Sequence, residues 1–366
     1  MIGSVTRALD SLLGRGEAAV TVPPFDGALR PNRLLDEAAG RVPLEGVDCL
    51  AVHGGELVAS AAGGVFVRGK RGTWALRKSY GAAVSCLAPA GEGALAVALA
   101  NGEVLIEGGA FDGRRYRVGG SVTCITAMVV SGGQLFVANG SATNAADQWQ
   151  RDLLERNASG SIWRLALDSG KAERVADALA WPSGLAIDRA EGRESLVVSE
   201  AWRHRLVRLD AARPGSRTVL HGDLPGYPGR ISPAGDHYWL AVFAPRSQLV
   251  EFVLREPAYR KRMMAEVPPP YWVSPKLRAG RSFYESLQGG GVKHLGMLKP
   301  WAPVMSAGLC VRLDAGFQPR ASLHSRADGA THGVTSVIEH GGEVLAAARG
   351  DGVVASLPAS ALGEDA

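Results

Sequence analysis

The stretch Gly226-Tyr227-Pro228-Gly229-Arg230-Ile231-Ser232 places a guanidinium where the chain should enter a core between two strand-like runs. A tight turn accounts for the proline and glycines but not for Arg230, which needs either a charge partner or a path to solvent at a seam. Other side chains with chemical capacity are scattered. His332 can relay a proton near neutral pH or serve as a satisfied structural group. His294 follows Lys293 and a Gln288-Gly289-Gly290-Gly291 run. A glycine hinge there carries it over a substrate, unless it is a solvated loop residue. Asn139 and Ser141 offer hydrogen bonds to a ligand or to a turn. No Gly-Lys-Ser/Thr phosphate loop, Gly-x-Ser-x-Gly elbow, Cys-x-x-Cys pair or His-Glu-x-x-His pair occurs in the chain.

The elements that must position these residues repeat. Val47-Asp48-Cys49-Leu50, Val84-Ser85-Cys86-Leu87 and Val122-Thr123-Cys124-Ile125 echo one another, and a period of about forty residues marks propeller blades. Each echo is followed by an apolar strand, a glycine-rich turn and a second strand. The fold expected is all-β, a single six-bladed β-propeller, with the repeated cysteines as core packing. Blades are expected near 44–69, 83–108, 121–167, 174–210, 218–255 and 306–357. Residues 1–16 read as a docking helix and 359–366 as a tail. Ala18-Ala19-Val20-Thr21-Val22 is the candidate strand to close a propeller spanning 17–358. Two insertions, 142–158 and 246–305, are expected to cap one mouth as a lid; long irregular loops are uncommon unless functional.

Composition narrows the partners. The 366 residues are 46% hydrophobic and 21% charged, with a formal net charge of +4. That balance, without a basic–aromatic strip, argues against nucleic acid. No apolar run is long enough for a transmembrane span. Four cysteines without a secretion signal point to reduced thiols and a cytoplasmic location. The oligomeric state stays open.

The motifs at 181–210, 226–254 and 332–357 resemble strictosidine-synthase-like six-bladed propellers, within the wider SMP-30/gluconolactonase and paraoxonase-like group. Metal-using members hold a divalent cation, usually calcium, at the head of the channel with one side chain per blade. The resemblance places Asp48, Thr126 (or Thr123), Ser183 in Pro182-Ser183-Gly184, and Gly229 beside Arg230 at those positions. One acid, hydroxyls and a bare glycine make a degenerate divalent-metal site, and no cofactor is expected. Arg230 is then expected to stand in for the ion beside Asp48. Thr335 occupies the place of the strictosidine synthase glutamate and cannot transfer protons as a carboxylate does.

Three functions are in view. The first is a metal-independent enzyme acting on a small, anionic organic molecule, with Asp48, Arg230 and His332 as catalytic residues. Thr126, Asn139, Ser183, Thr335 and His294 would bind the substrate. The second is a calcium-dependent lactonase or esterase. The third is a non-catalytic propeller that binds a small molecule or partner.

Overall fold

The computed structural model describes residues 22–189, 194–210, 215–282, 284–285, 305–362 and, as backbone, 292–294 and 297–299. The helix expected over 1–16 and most of the strand at 18–22 lie outside the described residues.

Six four-stranded antiparallel sheets stand around a common axis. Their innermost strands are Val47–His53, Val84–Pro89, Ile125–Ser131, Pro182–Asp188, Gly226–Ala234 and Val334–His340, heading blades 1 to 6 in that order. Each packs beside the next, and blade 6 returns to blade 1. Because blades stack face to face, inner and second strands are covered on both sides, and apolar runs replace alternation. Leu95–Leu99 is buried at every position. The outermost strand of blade 1, Trp74–Ser79, is largely exposed by contrast. The core is therefore divided into apolar seams between blades, such as that joining Val58, Leu87, Leu95 and Val97.

Two boundaries differ from the sequence expectation. Leu309–Leu313 and Pro319–His324 are the outer strands of blade 5, so blade 5 spans the long insertion and blade 6 begins only at Val334. Among the described residues the ring is closed by Gly40–Pro43, paired antiparallel with Val353–Pro358. Gly-Arg-Val-Pro has little strand character of its own; the free edge of Val353–Pro358 imposes it. The preceding segment is tied to blade 5, where Asn32 donates to the Ser322 carbonyl and accepts from the His324 amide.

The insertions are partly helical. Helix α1 spans Trp149–Leu154 in the first. The second begins with two helices, α2 (Gln248–Arg255) and α3 (Pro257–Glu266), broken at Glu256-Pro257, because a residue preceding proline is disfavoured in helical backbone. Among the described residues no helix is long and apolar enough to cross a membrane.

Removing residues 1–43 is expected to expose the edge of Val353–Pro358 and abolish the single cooperative thermal transition, with light scattering rising as unpaired edges associate. Calorimetry with simultaneous scattering checks this; an unchanged transition would show that the sixth blade closes without its outer strand.

Candidate functional site

One local device builds the site six times. Each innermost strand pairs with its neighbour through a register shift near its start, between Val47 and Cys49, Val84 and Cys86, Ile125 and Ala127, Pro182 and Gly184, Pro228 and Ile231, and Val334 and Ser336. A bulge takes residues out of the pleat and re-aims their side chains. The residues at the shifts are Asp48, Ser85, Thr126, Ser183, Gly229 with Arg230, and Thr335, and all line one cavity at the channel mouth. The register settles the alternative between Thr126 and Thr123 in favour of Thr126. It also shows that Cys124 does not match Cys49 and Cys86, because Ala127 holds their place in blade 3. Ser85 was missed in the sequence, although the echo of Val84-Ser85-Cys86 with Val47-Asp48-Cys49 marked it.

Arg230 reaches across the channel from blade 5. Its Nη2 lies 2.8 Å from Asp48 Oδ2 and 2.7 Å from the Ser85 carbonyl. Its Nη1 donates to the Asp48 carbonyl at 2.9 Å and the Thr335 carbonyl at 3.1 Å. One guanidinium thus binds blades 6, 1 and 2 to blade 5. Arg349 adds a second cation, 3.1 Å from Asp48 Oδ1, with 46% of its side chain exposed against 13% for Asp48 and Arg230. Burial opposes ionisation of Asp48, but the charges and hydrogen bonds of Arg230 and Arg349 outweigh it and hold the carboxyl at about 2. Asp48 is therefore a firm anion and a weak base.

The hydroxyls are committed to the frame. Thr126 donates to the Pro182 carbonyl, Ser183 to the Pro228 carbonyl at 2.6 Å, and Thr335 to the Asp48 carbonyl at 2.7 Å. Each ties its blade to the next and turns only lone pairs toward the cavity. Ser85 differs: its hydroxyl is buried with no partner among the described residues. Close approach finishes the arrangement at Gly184, where a Cβ would stand 2.3 Å from the Gly229 carbonyl oxygen and 3.0 Å from Arg230 Cα.

Two expected site residues are placed otherwise. Asn139 is fully buried, accepting the Cys124 amide at 3.0 Å and donating to the Ser121 carbonyl. It ties the entry of blade 3 together outside the cavity. His332 is also fully buried and does not line the cavity. Left-handed backbone at Gly333 (φ 63°) turns the chain there, and His332 packs at 2.7 Å from Ser306 Oγ, against the Gly329 carbonyl and Arg278. Burial, then the neighbouring Arg278 charge, depresses its basicity. It fastens the second insertion to blade 6 and is not a proton relay at the mouth. His294 ends the short strand Val292–His294, and its side chain lies outside the described residues.

The cavity is about 590 Å³, with a charged floor of Asp48, Arg230 and Arg349. Its walls are apolar: Trp181, Phe243 and Ile125 from the blades, Trp149 and Ala146 from the first insertion, and Leu277 from the second. Trp149 packs edge-on against Phe243 at 5.6 Å, and Trp181 and Trp149 both stack on Trp202 behind them.

This donor set does not fit a divalent cation. Calcium takes six to eight oxygen ligands, roughly, several of them carboxylates. Here the one channel-head carboxylate is engaged by two guanidinium groups, and Arg230 sits beside it. Among the described residues no three His, Cys, Asp or Glu side chains converge.

No protein-family model matches the chain, and no curated protein does. Solved structures do. The calcium-binding protein regucalcin of Agrobacterium tumefaciens aligns with a TM-score of 0.52 over 92% of this chain and 95% of that one, at 14% identity. A structure described as a gluconolactonase aligns with a TM-score of 0.51 over 87% and 92% of the two chains, at 10% identity. What this likeness defines is the fold, a six-bladed β-propeller.

Two outcomes test the site. A carboxyl depressed from 3.8 to about 2 contributes stability that is present above its ordinary range and lost as the pH falls through about 2. That contribution is about 2 kcal/mol. Asp48→Asn is expected to remove this acid limb and, by leaving Arg230 uncompensated, to destabilise the neutral protein by about 3 kcal/mol in denaturant melts. Gly184→Ala is expected to cost about 2 kcal/mol by forcing blade 5 away from blade 4; wild-type stability would show that the seam yields freely.

Proposed function

We propose that the channel mouth receives a small organic anion with a flat apolar body and works without a metal ion. The observation that supports this most is the floor's charge balance. At the floor two guanidinium groups face one carboxylate, so the half-exposed Arg349 presents a local positive charge, while Asp147 of the first insertion also lines the cavity and balances it overall. Arg230, buried and saturated on both terminal nitrogens, holds the floor rigid. A carboxylate or enolate oxygen meeting Arg349 would gain a charge-assisted, bidentate hydrogen bond. The aromatic walls suit a planar body.

The chemistry such a floor supports is electrostatic. Asp48, held at about 2, is a poor proton acceptor, and Thr126, Ser183 and Thr335 have given their protons to carbonyls. Stabilisation of negative charge developing on a substrate oxygen by Arg349 is the catalytic contribution that remains. Asp48 orients the two arginines. With Thr335 in the glutamate's place, amine–aldehyde coupling of the strictosidine synthase kind is not part of the proposal.

The fold likeness to a calcium-binding protein and a gluconolactonase supports a second reading, a cation-dependent lactonase, against which the donor set argues.

Thermal-shift titration with aromatic and aliphatic carboxylates separates these readings. Binding is expected to favour aromatic carboxylates and to weaken about tenfold or more in Arg349→Met, a partly exposed position where folding should survive. Calcium and chelator are expected to leave the melting midpoint unchanged. A chelator-sensitive rise with calcium would establish the cation-dependent reading instead.

A further inference from the structure

A second cavity of about 440 Å³ lies on the far side of the tryptophan wall, and it is lined by Arg156, Arg203, Arg205, Arg246, Arg255 and Trp202. Three elements build it: the chain leaving helix α1, the C-terminal half of α2, and the turn between the second and third strands of blade 4. Its charges do not balance. Glu200 is shared by Arg203 at 2.7 Å and Arg205 at 2.6 Å. Arg246 holds Asp223 at 2.6 Å and Glu251 at 3.1 Å. His204 adds no charge, since burial depresses its basicity. Arg156 and Arg255 have no acidic partner among the described residues, so two cations face the cavity uncompensated. Arg156 also stands close enough to Arg260 to disfavour that residue's charge, on top of burial.

The backbone here is strained as well. Arg156, His204 and Asp223 all occupy left-handed backbone, at φ 54°, 50° and 53°, and all three line the cavity. Non-glycine residues avoid that region, and such strain concentrates where a site is being shaped. Beneath them the Tyr227 hydroxyl is buried without a partner, its electrostatic neighbours being Glu251 and Arg246.

We propose that this cavity binds the phosphate group of a phosphorylated small molecule. Two surplus guanidinium groups match a dianion in charge, and their planar forks match its oxygens in geometry. The cavity is larger than a phosphate ion needs, and Leu153, Leu254 and Trp202 in its lining offer apolar contact to an organic body. The site is separate from the channel mouth, because Trp149 and Trp181, which line that mouth, stack on Trp202 at 6.3 and 5.2 Å. It does not depend on the function proposed above.

The test is calorimetric titration with phenyl phosphate. Saturable binding is expected in the Arg349→Met chain, whose channel mouth no longer holds an aromatic anion, and is expected to weaken about tenfold or more when the double variant Arg156→Gly/Arg255→Gln is added to it. Arg156→Gly suits the left-handed backbone and Arg255 is only half-buried, so the double variant should keep its melting midpoint. Benzoate, with a single charge, is expected to bind this cavity about tenfold more weakly than phenyl phosphate. Absence of saturable phenyl phosphate binding in the Arg349→Met chain, or unchanged affinity when Arg156→Gly/Arg255→Gln is added to it, would each overturn the proposal.

Discussion

A single guanidinium crossing the axis is the constraint on which the site depends. A propeller leaves its bulged inner strands converging on a channel head rich in carbonyl oxygens, and one blade here also supplies a carboxylate. Such a concentration of negative potential needs a positive centre. Arg230 provides it from within the chain, meeting three carbonyls and Asp48. Moving a guanidinium and a carboxylate out of water is costly singly, and the two are tolerable together because almost every donor and acceptor between them is used. The exception is Arg230 Nε, buried and unpartnered.

That constraint organises the neighbours. The forward-reaching hydroxyls of Thr126 and Ser183 occupy other carbonyls around the ring and Thr335 shares the Asp48 carbonyl with Arg230, so the frame is closed by side chains as well as by the terminal strand. Gly184 lets blades 4 and 5 approach closely enough for Arg230 to span the gap. The aromatic residues then stand above a polar floor that is largely satisfied, with the half-exposed Arg349 the cation best placed to address what enters.

Much of the propeller could be read in the chain because each blade repeats its strand–turn–strand pattern. The family resemblance located Asp48, Thr126, Ser183, Arg230 and Thr335 as positions, and the bulge at one place in every blade is what gathers them at one mouth. What escaped was set by pairing between distant segments. Ser85 carries no charge to draw notice, and its echo of Asp48 gains meaning through the register of Val84–Pro89 on Leu95–Leu99. The third cysteine echo looked equivalent but runs three residues early, since similarity of letters does not report register. Gly40–Pro43 becomes a strand because an edge far along the chain lacks a partner. His332 stands just before an inner strand, as a mouth residue should, yet the backbone at Gly333 and the distant Ser306 draw it away.

The saturation of Asp48 bears on how such a floor can change by successive substitutions. Losing Arg230 first leaves a buried carboxylate with only the half-exposed Arg349 beside it. Losing Asp48 first leaves a buried cation facing carbonyls alone. A passage between this floor and one that coordinates a cation therefore crosses an intermediate less stable than either end, unless several positions change together. The charge exchange behaves as a ratchet, and propellers of this architecture should divide into two separate populations with few chains between them.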